Sequence, residues 1–74
     1  MHGIVIIIDR HAERGIIRDD AGMFYNFRRQ NMAFWMDFQL LRTGTAVTFE
    51  PQMRKRISGA INVELRVTER PSRT

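Results

Sequence analysis

Most apolar residues of this chain fall in short runs closed off by turn signals, and that punctuation restricts the fold more than any other feature. Gly3 to Ile8 is dense in β-branched residues and too short for an ordinary helix, so it reads as a strand. It does not alternate, which leaves both of its faces apolar. Asp9 to Glu13 is a polar connection, and Gly15-Ile16-Ile17-Arg18 is a second strand. Asp19-Asp20-Ala21-Gly22 is turn chemistry, with Gly22 suited to a positive φ at the end of a hairpin loop. Met23 to Arg28 is a third strand. Alternation puts Met23, Tyr25 and Phe27 on one face and Phe24 and Asn26 on the other, unless a local twist or bulge re-aims Phe27.

Asn31 to Leu41 carries two apolar sets at helical spacing, Met32-Trp35-Met36 and Phe34-Phe38-Leu41, with Asn31 as a possible N-cap. A short helix or an irregular loop across a barrel end both fit. Thr43-Gly44 is a turn. Thr45 to Glu50 alternates as a fourth strand that Pro51 should end. Gln52 to Gly59 reads as a basic loop around Arg54-Lys55-Arg56. Ala60 to Val67 is a fifth strand, with Ile61, Val63, Leu65 and Val67 alternating against Asn62, Glu64 and Arg66. Five short strands with turns between them, and one longer insert after the third, predict an all-β, five-stranded antiparallel barrel. Met23, Tyr25, Val47, Phe49, Ile61 and Val63 are assigned to its core. Residues 1–68 form the domain and 69–74 a polar tail.

Length and charge narrow the possibilities. Seventy-four residues make one domain, of a size that buries only ~60% of its unfolded surface. With no cysteine, neither disulfides nor a thiolate metal cage can support it, and the 43% of apolar residues must do so. The net charge is +4, carried by eleven Arg and the single Lys55. Arg offers a planar fork that grips phosphate and stacks on a base, although a basic surface can equally be plain solvated charge. No stretch approaches the ~18 apolar residues of a membrane span, and the Ile run lacks the flanks of a signal peptide, so a cytoplasmic protein is expected. His2 and His11 stand alone, no glycine-rich phosphate loop occurs, and no His, Asp or Glu set has ligand spacing. No enzyme, cofactor, metal, small-molecule substrate or membrane partner is expected.

The third, fourth and fifth strands carry a resemblance. Cold-shock domains have a Gly-anchored first strand, a Lys-Gly-Phe-Gly-Phe-Ile segment, an acidic turn and a Val-Phe-Val-His-Phe strand. Leu-x-x-Gly-x-x-Val-x-Phe and Ala-x-Asn-Val follow. This chain has Gly3, Gly15-Ile16-Ile17, Asp19-Asp20 and Met23-Phe24-Tyr25-Asn26-Phe27 in that order. It continues with Leu41 to Phe49 and Ala60-Ile61-Asn62-Val63. Over residues 3–65 it resembles a divergent member of the cold-shock family of OB-type barrels. The resemblance implies binding of single-stranded RNA or DNA with low sequence preference. Surface aromatics stack on bases there, and cations follow the phosphates.

By position, the resemblance marks Phe24 and Phe27 as base-stacking rings, Asn26 as the replacement for a His, and Phe38 as a loop aromatic. Phe27 reads equally as core, and residues such as Phe38 and Trp35 are more often packing of a capping loop than ligand contacts. Arg14 and Ile16 stand where the second strand should carry two Phe side chains, and Ile6-Ile7-Ile8 stand for Lys-Trp-Phe. Arg14 can still stack through its guanidinium plane; the aliphatics cannot. Each missing ring removes ~1–3 kcal/mol of stacking. Arg54, Lys55 and Arg56 complete the expected nucleic-acid set. The exposed aliphatics Ile6, Ile7 and Ile8 support a second reading, a protein-contact or self-associating module, with a homodimer or another protein as partner.

Overall fold

β-Branched and aromatic residues favour extended backbone, and the period-2 pattern of each run decides which side chains meet inside. The computed structural model describes residues 1–33, 36–54 and 57–66, with side chains except at 53, 54 and 57. Strands β1 (His2–Asp9), β2 (Arg14–Asp19), β3 (Phe24–Arg28), β4 (Ala46–Arg54) and β5 (Ile57–Leu65) close a barrel in the order β1-β2-β3-β5-β4, with β4 returning to β1. β1 with β2, β2 with β3, β4 with β5 and β4 with β1 pair antiparallel, and β3 meets β5 in parallel at Asn26 and Gly59. This is the closure of an OB-like five-stranded barrel, antiparallel as the strand pattern predicts except at the β3–β5 junction.

The described residues between β3 and β4 form an irregular connection with short helical turns, in keeping with the loop or short helix expected there. They make two 3-10 turns, Arg29–Asn31 and Phe38–Leu40. The Asp37 carboxylate accepts the Gln39 N–H at 2.9 Å and starts the second turn. That turn drives Phe38 into the end of the barrel, where its ring centroid lies 6.4 Å from that of Phe27. Met32 pairs with Val63, and the Ala33 N–H bonds the Val63 carbonyl, so the segment is stitched to β5. Phe34 and Trp35 lie outside the described residues.

The core gathers Val5, Ile17, Tyr25, Phe27, Met32, Phe38, Leu41, Val47, Phe49, Ala60 and Val63. Four of the six expected core residues are there. Met23 is instead exposed, because it belongs to the turn before β3 and the strand's alternation begins at Phe24. Ile61 is only half-buried, next to a β5 bulge between the pairs Glu50–Ile61 and Thr48–Glu64. Asn62 occupies that bulge with φ 53°, a left-handed conformation that Asn tolerates better than most side chains.

The aliphatic run of β1 is explained by a second bulge. Val5 pairs with Ile17 and Ile7 with Ile16, so Ile6 is the extra residue. The register shift lets Val5 and Ile8, three positions apart, both point inward and turns Ile7 outward. Gly3 and Gly15 leave room for this close packing. A Cβ on Gly15 would stand 2.6 Å from the Ile7 carbonyl oxygen and 2.8 Å from the Phe27 ring.

Strand lengths also differ from expectation. Pro51 does not end β4; it pairs with Ala60 beyond Thr48, the last β1 partner, where β4 is an edge on that side and a missing N–H is tolerated. β4 and β5 therefore run on as a ribbon through most of the expected basic loop, and Arg54 pairs with Ile57 at its end. Lys55, Arg56 and the expected tail 69–74 lie outside the described residues, as does Val67.

Candidate functional site

Alternation that buries Ile17, Tyr25 and Phe27 must turn their neighbours outward. Cross-strand register then arranges the outer side of β1, β2 and β3 in three rows: Ile4, Arg18 and Phe24; Ile7, Ile16 and Asn26; Asp9, Arg14 and Arg28. Residues directly opposite on such a ladder have Cβ atoms ~4.5–5.5 Å apart, so each row is a set of touching neighbours. Ile16 is half-buried and the other eight are exposed, Phe24 at 57%. An exposed Phe ring next to an arginine is a surface suited to stacking on a flat partner, with a donor fork at its side.

The face is electropositive: Arg14, Arg18 and Arg28 outnumber Asp9. Among the described residues the one ion pair joins Arg29 to Glu13 at 3.0 Å, off this face, so the three outward guanidinium groups are not neutralised by a carboxylate. Arg10, at the end of β1, instead reaches across to the backbone carbonyls of Leu41 and Gln39 and ties the β1–β2 turn to the segment beneath it.

A shallow depression of about 350 Å³ lies in this face, lined by Ile7, Asp9, Arg14, Gly15, Ile16 and Asn26. Asp9 Oδ1 accepts the Ala12 N–H at 3.0 Å, which fixes the carboxylate at the rim.

The β2–β3 turn is held from inside. Asp19, buried at the end of β2, accepts the N–H groups of Met23 and Ala21 through Oδ1, both at 2.9 Å, and the Tyr25 hydroxyl through Oδ2 at 3.0 Å. The Met23 N–H is the main cause that holds this carboxyl below the ordinary range, assisted by Tyr25 and Ala21 and opposed by burial. The same carboxylate pushes the Tyr25 phenol up. This network sets the angle at which β3 leaves the turn, and hence where Phe24 sits.

The expected site residues divide. Arg14, Ile16, Phe24 and Asn26 come together on the outer face. Phe27 and Phe38 do not: they are 1% and 2% exposed and pack against each other, so neither ring has a surface to offer a base. The Tyr25–Phe27 alternation fixes the first inward, and the Asp37-capped turn fixes the second. Of the Ile6-Ile7-Ile8 patch only Ile7 is exposed, because the bulge leaves Ile6 half-buried and turns Ile8 to the core. Lys55 and Arg56, and the side chain of Arg54, are outside the description. Four face residues were missing from the expected set: Ile4, Asp9, Arg18 and Arg28. For Arg18 the signal was present, since Arg14, Ile16 and Arg18 alternate with buried Gly15 and Ile17.

Among the described residues no group of three His, Cys, Asp or Glu is placed to hold a metal ion. No family model matches the chain, and no curated protein matches it.

Proposed function

We propose that this chain is a single-stranded nucleic-acid binding protein of the cold-shock type that works by binding alone, without catalysis. The observation that carries the reading is Phe24, 57% exposed, with Arg18 directly across from it and Arg14 and Arg28 on the same face. A base can stack on the ring, and the arginine forks can follow its phosphates. The aliphatics Ile7 and Ile16, in place of rings, favour binding that is weaker than on a fully aromatic platform.

Fluorescence anisotropy of labelled oligo-dT and oligo-U at low salt tests this. Phe24→Ala is expected to weaken binding about tenfold or more, the equivalent of the ~1–3 kcal/mol of one stacked base. Its melting temperature should stay near that of the parent, since exposed positions usually change stability by about 0.5 kcal/mol or less. Absence of binding at millimolar oligonucleotide would refute the proposal.

A second reading rests on Ile4 and Ile7, which are 42% and 51% exposed on the same side of β1. Such aliphatics also suit a protein contact or a homodimer. Sedimentation at several concentrations separates the two: a concentration-dependent dimer that oligonucleotide does not dissociate favours self-association.

A further inference from the structure

We propose that the depression beside the stacking face is a guanine pocket, so that the strand bound here is read at one position. The inference rests on the nucleic-acid reading of the face and deepens it.

The chemistry of the lining is specific. Asp9, paired across the ladder with Arg14, puts a carboxylate and a guanidinium at one end of the depression. Asn26, paired with Ile16 in the neighbouring row, adds an amide to the lining. Ile7 and Ile16 supply apolar wall and floor. The volume, about 350 Å³, is at the small end for ligand pockets and suits one flat group rather than a chain of them.

The polar groups are available. Among the described residues Asp9 and Arg14 form no ion pair with each other or with any other residue. Asp9 spends Oδ1 on the Ala12 N–H, which orients the carboxylate and leaves Oδ2 and the second lone pair of Oδ1 to accept.

Of the common bases, guanine alone presents two adjacent N–H donors on its Watson–Crick edge, N1–H and the N2 amine. That is the complement of a carboxylate with two acceptor oxygens. Its O6 and N7 are acceptors for an arginine fork. Adenine and cytosine each offer an amine beside an acceptor, and uracil or thymine a single N–H between two carbonyls. Either arrangement sets a carbonyl or a ring nitrogen against the Asp9 carboxylate. A site built to satisfy paired donors rejects partners that leave them unmatched.

The test is a comparison of oligo-dT octamers that are plain or carry one central dG, dA or deoxyinosine. Inosine keeps O6, N7 and N1–H but lacks the N2 amine. A single dG is expected to tighten binding about tenfold, within the range of one bidentate base contact. Inosine should lose most of that gain, and dA should give none. In Asp9→Asn the ratio of dG to plain oligo-dT affinity should fall towards one. Asparagine retains an acceptor for the Ala12 N–H, and thermal melting checks its fold. Guanosine monophosphate titrated alone distinguishes a base on a strand from a free nucleotide. The strand should bind at least about tenfold tighter, because the arginines contact flanking phosphates.

Equal affinity for all four octamers overturns the guanine pocket and leaves the nucleic-acid reading standing. So does a dG preference that inosine or Asp9→Asn retains in full, or tighter binding of the free nucleotide. Failure of every octamer to bind overturns both.

Discussion

Asn62 shows how much one backbone angle matters here. Its φ of 53° lies in the region where a Cβ crowds the following carbonyl, and β5 needs it there to absorb the bulge. Asn62→Ala should lower stability by about 1 kcal/mol, which in a domain of this size is a fall of roughly 4–8 °C in melting temperature, while Asn62→Gly should lose little. Asp19 governs the acid limb. Its carboxyl is held below its ordinary 3.8 in the folded chain, so its contribution is present above that value and fades as pH falls through the lowered one. Tyr25 acts at the other end: its phenol is raised above 10.0, so stability is lost as pH climbs from that value through the raised one. Melting curves from acid to alkaline pH should show both limbs, and Asp19→Asn should flatten the acid one.

At the scale of the strand, Gly15 decides how closely β1, β2 and β3 coil around Phe27. Gly15→Ala forces a methyl against the Ile7 carbonyl and the Phe27 ring, and should destabilise by roughly 1–3 kcal/mol in urea unfolding. This scale also separates what the sequence reveals from what it conceals. The five strands, the Asp19–Gly22 turn and the inward set Tyr25, Val47, Phe49 and Val63 all follow from alternation and turn chemistry. The β1 bulge does not, because a run of identical aliphatics has no polar position to mark a change of face. Pro51 reads as a stop, yet whether an edge is open at that residue depends on how far β1 extends beside it. Phe27 carries the opposite lesson. Plain alternation put it inside with Tyr25, whereas position-by-position resemblance put it on the surface; the barrel follows alternation. Five of the nine residues of the candidate face, Ile7, Arg14, Ile16, Phe24 and Asn26, were legible. Arg18 could have been read from the alternation of β2 alone; which of Ile4, Asp9 and Arg28 stand beside these residues depends on register between strands, which no single strand encodes.

For the whole molecule, charge and shape act together. The three unpaired arginines of one face give it a field that a phosphodiester strand meets along its length. If each covers one phosphate, the plot of log affinity against log salt should fall with a slope of about −2, from ~0.7 per phosphate on single strands. Replacing Arg14, Arg18 and Arg28 together by Gln should bring that slope close to zero. A slope unchanged in the triple variant would place the phosphate contacts elsewhere on the barrel.

The way the barrel closes has a consequence of its own. Among the described residues β3 and β5 meet at a single parallel pair, Asn26 with Gly59, while every other junction is an antiparallel ladder. The seam is therefore the junction with least backbone hydrogen bonding to break, and local opening should begin there. An opened seam leaves two bare strand edges that are complementary in every copy of the chain. If a second molecule filled them, β3 of one against β5 of the other, the product would be a strand-exchanged dimer. The outer face that begins at Asn26 would then be presented twice on one particle, and a strand long enough to reach both copies would be held by avidity rather than by any new contact.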